Sequence, residues 1–232
     1  MKLTWYGHSA FRVEFGSTAL LIDPFLSDNP TWDGGWEKPA DGISHVLVTH
    51  GHNDHLGDTV AIAKATGAEI VGGFELCDFC AEQGAEKINA GGHGGTLDCG
   101  AFTVTFVNAR HSSSVSTPNG TFYMGNPLGL IVTPKDDKVL YHLGDTGIFG
   151  DMALINTLYR PQVGIVPIGD RYTMGAREAS YACLNFFDFE TIVPAHYGTF
   201  GVLDQTPDKF IAAMGEEAGK VKTVERGVSF TV

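Results

Sequence analysis

The chain is predicted to be an α/β protein, a four-layer αββα sandwich in which two mixed β-sheets lie face to face with helices on both outer faces. Three observations predict this. Short β-rich runs open the chain, and the same order, strands first and then strands alternating with helices, restarts near Leu97. Runs such as 43–48 (ISHVLV) and 163–167 (VGIVP) are dominated by aliphatic residues, as in strands covered on both faces. No Pro-, Gly- or Ser-rich linker divides the 232 residues. That length suits a shared core, so residues 1–232 are read as a single domain.

The elements follow in order. Residues 3–6, 10–15 and 18–22 read as strands, the last closing at Asp23-Pro24, where the proline disfavours helix at the residue before it. Residues 27–42 (SDNPTWDGGWEKPADG) mix Pro, Gly and Asp with two Trp and read as an ordered loop. A buried strand at 43–48 leads to an alanine-rich helix at 57–66. A second strand and helix follow at 69–71 and 75–83. In the second half, 102–107, 128–133, 138–143, 163–167 and 191–194 read as strands. Helices are expected at 153–159, 177–187 and 207–214, and the tail from Val221 reads as a pair of short strands.

Composition removes several function classes. With 15 Lys+Arg against 27 Asp+Glu the net charge is −12, which argues against nucleic acid as a partner because phosphate neutralisation needs a basic face. The longest aliphatic run, Ala19-Leu20-Leu21-Ile22, is far short of the ~20 residues of a membrane helix, so no membrane partner is expected. Four cysteines are too sparse for a disulfide scaffold, and a cytoplasmic location is expected. Cys77 and Cys80 form a lone C-x-x-C at helical spacing, which reads as packing.

The chemistry concentrates in Thr49-His50-Gly51-His52-Asn53-Asp54-His55-Leu56-Gly57-Asp58, an H-x-H-x-D-H run directly after an apolar strand. Glycine at 51 is expected to let alternate side chains point to one side of a tight turn. His50 and His52 can then hold one metal ion while Asp54 and His55 hold a neighbour, since imidazole and carboxylate suit zinc and related divalent ions. Further donors stand just past the ends of other strands: His111 after 102–107, Asp145 after 138–143 and His196 after 191–194. Strand ends are where ligands collect in layered α/β proteins. His45, His142 and His93 read as structural or loop residues.

These motifs resemble the metallo-β-lactamase superfamily of metal-dependent hydrolases, over essentially the whole chain. Gly7-His8-Ser9-Ala10-Phe11, His111-Ser112-Ser113-Ser114, Gly169-Asp170 with Thr173-Met174-Gly175, and His196-Tyr197-Gly198-Thr199-Phe200 are similar to a small bacterial branch. That branch is related to the ascorbate-6-phosphate lactonases and the N-acyl-phosphatidylethanolamine phospholipases D. The resemblance implies His50, His52 and His111 on one ion; Asp54, His55 and His196 on a second; Asp145 bridging; and Asp23 orienting the metal-bearing loop. The cofactor is then two divalent ions, zinc first, with manganese, iron or nickel as alternatives.

The implied activity is attack by a metal-activated hydroxide on a carbonyl (lactone, ester or amide) or phosphoryl centre. The substrate is a small, anionic molecule, drawn to a net positive centre, and homo-oligomers are open. Asp54 and His8 are the candidate catalytic residues, His8 as proton donor to the leaving group. Tyr197, Thr199 and Arg171 are candidate substrate contacts, with Arg110 a further candidate anion clamp. Two alternatives stand beside the hydrolase: an iron-dependent oxidoreductase on the same fold, and a non-catalytic metal-binding protein. Flavodiiron oxidoreductases usually carry Glu where this chain has His52.

Overall fold

A computed structural model describes residues 1–232. Its first sheet combines β1 (Lys2–Trp5), β2 (Phe11–Phe15), β3 (Thr18–Ile22), β4 (His45–Leu47), β5 (Glu69–Gly73), β6 (Ile88–Gly91) and β15 (Ser229–Thr231), in the order β15-β1-β2-β3-β4-β5-β6. The second contains β7 (Thr96–Asp98), β8 (Phe102–Asn108), β11 (Leu128–Pro134), β12 (Leu140–His142), β13 (Val163–Pro167) and β14 (Thr191–Ala195), in the order β14-β13-β12-β11-β8-β7. Each sheet starts as an antiparallel meander and continues with parallel strands, β3 to β6 in one and β12 to β14 in the other. The molecule is the mixed αββα sandwich of the sequence reading.

Burial explains which runs became which strands. In β2, Phe11, Val13 and Phe15 face inward while Arg12 and Glu14 face out, the period of two that a half-covered strand requires. All five residues of β13 are buried, because sheet and helices cover both of its faces. A core of 40 buried residues fills the space between the sheets and under the helices of the second half. A smaller core of 20 lies beneath α2 (Thr59–Thr66) and α3 (Phe74–Glu82) on the outside of the first sheet. Cys77 and Cys80 are buried there as free thiols. The helices of the second half are α4 (Met152–Tyr159), α5 (Ala176–Asn185) and α6 (Asp208–Met214).

The structure departs from the expected elements in three places. The helix expected at 57–66 is α2, starting at Thr59, and an additional single turn, α1 (Asn53–Leu56), precedes it across Gly57 at φ 41°. A side chain there would meet the Pro24 carbonyl at 2.5 Å, so only glycine fits the kink. Strands β6 and β7 and an outlying hairpin, β9 (Ser114–Thr117) with β10 (Gly120–Tyr123), join the expected ones. The tail is not a strand pair: Val221 makes a single bridge to Ile192, and Ser229–Thr231 pairs antiparallel with β1. The loop of residues 27–42 folds onto the flank of the first sheet, with Trp32 edge-on to Tyr6 at 4.8 Å.

Candidate metal centre

The candidate ligands gather at the carboxyl ends of strands from both sheets. Asp23 follows β3, His50 and His52 follow β4, and Asp54 and His55 lie on α1. His111 follows β8, Asp145 follows β12 and His196 follows β14. Three of the six non-glycine residues with left-handed backbone are here: His8 (φ 52°), Asp23 (46°) and His196 (56°). Such conformations cost about 1–3 kcal/mol each and persist where surroundings over-determine them. They do so here, since the His196 N–H and the Trp5 indole both donate to the His8 carbonyl, at 3.0 and 2.9 Å. That junction fastens the β1–β2 turn of one sheet to the end of β14 in the other.

Gly51 serves a different purpose from the one expected. Its φ is not positive. A Cβ there would lie 2.4 Å from the Met124 side chain, and its N–H donates to Ser113 Oγ at 3.0 Å. Glycine lets the metal-bearing loop press against the chain around the β9–β10 hairpin. Asn53 clasps the same hairpin, donating to the Ser116 carbonyl and accepting from its N–H.

Donor atoms form two groups that share one carboxylate. His50 Nε2 lies 2.9 Å from His52 Nδ1, which lies 3.2 Å from His111 Nε2. Asp145 Oδ2 stands 3.5 Å from His111 Nε2 and 4.0 Å from His50 Nε2. On its other side it stands 3.0 Å from His196 Nε2, while Asp145 Oδ1 is 3.3 Å from His55 Nε2. Asp54 Oδ2 completes the second group, 4.0 Å from His55 Nε2. Ligands about 2.0–2.1 Å from a tetrahedral zinc ion stand roughly 3.3–3.4 Å apart, so these spacings fit such cations.

The outer hydrogen bonds decide which nitrogen carries the proton in His50 and His55. Thr49 Oγ1 must donate to Asp23 Oδ2 at 2.6 Å, since a carboxylate only accepts. It therefore accepts from His50 Nδ1–H at 3.0 Å, leaving His50 Nε2 bare toward the centre. His55 Nδ1 donates to Asp23 Oδ2 at 2.7 Å, again baring Nε2. His55 Nε2 and Asp145 Oδ1 are both buried without a hydrogen-bond partner. Unpaired buried acceptors facing each other are costly unless a cation stands between them, and the residues fit a metal.

The local fields agree. Burial pushes the His50 imidazole well below its ordinary value, as a neutral ligand requires. Burial opposes the Asp145 carboxylate, yet His196 and His55 hold it well below the usual range. Burial also opposes protonation of His55, but Asp145 and Asp23 outweigh it and raise that imidazole well above its ordinary value. Positive charge is favoured where the two groups meet.

His8 is fully buried, and its Nε2–H donates to Asp54 Oδ2 at 2.9 Å. Burial and the neighbouring His196 push its value down to about 4, so the ring is neutral at pH 7. Thr199 sits behind it, its Oγ1 3.1 Å from His8 Nδ1. Tyr197 and Arg171 are not brought to the ligands by any hydrogen bond. Tyr197 stacks on Trp5 at 5.1 Å, lining a cavity with Trp32 and Arg226. Arg171 is exposed, its guanidinium 5.7 Å from the Tyr172 ring centre. Arg110 is exposed, and its backbone bridges Gly147.

Sequence reasoning missed Thr49 and Ser112 as partners of the outward ring nitrogens. Ser112 Oγ lies 3.3 Å from His52 Nε2. The only signal was a hydroxyl residue adjoining a ligand, before His50 and after His111.

A sequence profile of the beta-lactamase superfamily domain matches residues 2–196. A UPF0173 metal-dependent hydrolase of Chelativorans sp. (strain BNC1) is 58% identical over 229 residues, covering 98% of each chain. Igni18, a novel metallo hydrolase from the hyperthermophilic archaeon Ignicoccus hospitalis KIN4/I, superposes with a TM-score of 0.86 at 33% identity, over 100% of this chain and 98% of its own. The isothiocyanate hydrolase from Delia radicum gut bacteria has the same fold, with a TM-score of 0.78 at 19% identity, over 100% and 99%. The chain belongs to the metallo-β-lactamase superfamily, as a metal-dependent hydrolase of the UPF0173 group.

Proposed function

We propose that the chain is a dinuclear hydrolase acting on a carbonyl (lactone, ester or amide) or phosphoryl centre of a small, anionic molecule. The observation that carries this is the position of Asp145 Oδ2 between the groups, 3.0 Å from His196 Nε2 and 3.5 Å from His111 Nε2. A carboxylate so placed is built to be shared. His50, His52 and His111 would hold one divalent ion and Asp54, His55 and His196 the other, with zinc the first choice for such nitrogen and oxygen donors. When bound, the pair supplies Lewis acidity and a water acidified toward pKa ~7.

The chain's own residues do the rest. Asp23 holds His55 directly and His50 through Thr49, fixing both rings with bare nitrogen inward. His8 holds Asp54 by its Nε2–H, and Thr199 caps the far side of the ring. The His8 donor atom lies within 4.8 Å of those of Asp54, His55 and His196, so its N–H stands beside the second donor group, where it would reach a leaving group. Orienting Asp54 is the role its geometry supports first, and returning a proton the second.

The test is metal analysis of untagged protein, followed by a screen of lactones, esters, amides, phosphodiesters and isothiocyanates with zinc-, manganese-, iron- and nickel-loaded enzyme. His111→Ala should carry one ion fewer than the native chain and Asp145→Ala up to two fewer, each losing hydrolysis while retaining the fold. Unchanged metal content in both variants would refute the dinuclear reading.

A further inference from the structure

A second group of metal-binding side chains lies at the opposite pole of the sandwich. His45 and Glu69 open the parallel strands β4 and β5 and pair across them in register, whereas the metal centre lies beyond the carboxyl ends of such strands. Cys99 sits in the turn between β7 and β8 of the other sheet. One donor atom from each of the three lies within 4.8 Å of the others. His45 Nε2 and Glu69 Oε2 are 3.6 Å apart, and the Cys99 residue is 8% exposed.

Hydrogen bonds set these donors as they do in the metal centre. Ser44 Oγ lies 2.8 Å from His45 Nδ1 and 3.3 Å from the Ala19 carbonyl, so the tautomer that binds a cation is the one with Nδ1–H donated to Ser44. That leaves His45 Nε2 bare toward Glu69. In that tautomer a ring nitrogen and a carboxylate oxygen face each other across 3.6 Å, a gap of ligand-to-ligand width. Asn89 Nδ2 donates to Glu69 Oε2 and to the Asp98 carbonyl, both at 3.3 Å, holding the carboxylate against the turn that carries Cys99. Burial, Glu69 and Asp98 push the thiol up to about 12. The thiol therefore keeps its proton until a cation displaces it to solvent.

We propose that His45, Glu69 and Cys99 form a separate site for one zinc-class divalent ion, clipping the two sheets together at the pole away from the metal centre. A sulfur, a nitrogen and an oxygen donor are the set that borderline-soft ions select. Glu69, with 32% of its side chain exposed, leaves the fourth position to water.

The metal centre contains no cysteine, which gives a spectroscopic test independent of hydrolysis. Untagged full-length protein, stripped with a chelator and kept reduced, is titrated with cobalt(II). A near-ultraviolet thiolate-to-cobalt charge-transfer band should grow in and saturate at one equivalent per chain, and excess zinc should bleach it. Cys99→Ser should abolish the band while the visible cobalt bands of the metal centre remain. His45→Gln, which leaves the thiol in place, should weaken cobalt binding at this band by at least about tenfold. No band at saturation, a band surviving Cys99→Ser, or one indifferent to His45→Gln would overturn the proposal. If Cys99→Ser does not fold, His45→Gln and Glu69→Gln decide it alone.

Discussion

At the scale of single residues, the proton positions govern the centre. Asp23 accepts from the Thr49 N–H on one oxygen, and from the Thr49 hydroxyl and His55 Nδ1 on the other. Asp23→Asn is nearly isosteric and tolerates the left-handed backbone, but an amide nitrogen facing His55 donates where an oxygen accepted. His55 must then carry its proton on Nε2, the ligand atom. Metal affinity, measured by chelator competition, should fall about 10–100-fold with the circular dichroism spectrum unchanged. For His8, Ala should weaken binding at the Asp54-containing site and spare the three-histidine site. Gln, whose amide nitrogen reaches the place of Nε2, should recover part of that loss; equal losses in both variants would remove the orienting role. Ligand identities were legible because His50, His52, Asp54 and His55 crowd four donor side chains into six residues just past an apolar strand, a density that suits a metal and little else. The direction of Tyr197 was not, because left-handed turns at His196 and Gly198 send its ring back to Trp5.

At the scale of elements, hydrophobic runs were readable and short polar strands were not. β8, β11 and β13 are apolar enough to announce themselves. β6 (INAG), β7 (TLD) and the β9–β10 hairpin (SVST, GTFY) bury too little for periodicity to show, and pairing alone defines them. The overlooked signal for the hairpin was Pro118-Asn119 followed by Gly120, a turn with Pro at its second position and Gly at its fourth. One central strand also carries a removable cost. Tyr141 of β12 is wholly buried, against Gly129 and Phe187, and its hydroxyl finds no partner. An unsatisfied buried hydroxyl costs about 1–3 kcal/mol. Tyr141→Phe should therefore raise the melting temperature, whereas a lowered one would mean that the hydroxyl is satisfied in solution.

At the scale of the whole molecule, the buried imidazoles tie stability to pH. Burial lowers the proton affinity of His8, His45, His50, His52, His111 and His142. Below pH ~6.5 the unfolded chain takes up protons that the folded chain refuses. Stability present above that pH is therefore lost as pH falls toward the folded values, about 4 for His8. His55, raised by Asp145 and Asp23 in the metal-free chain, has the opposite sign: above pH ~6.5 only the folded chain holds its proton, so its contribution is lost as pH rises and changes little below that pH. Each proton of difference is worth about 1.4 kcal/mol per pH unit. The urea midpoint of chelator-treated protein should drop between pH 6.5 and 5.0, and a flat or rising midpoint would contradict the buried neutral rings.

The candidate ligands come in two instalments, residues 23–55 from the first sheet and 111–196 from the second. A growing polypeptide emerges amino-terminus first, at about 5–20 residues per second, so a nascent chain presents its first imidazoles well before their partners exist. Cofactor capture is thereby deferred until the second sheet has been made, and a truncated product ending before His196 would leave the ribosome with an unfinished cage.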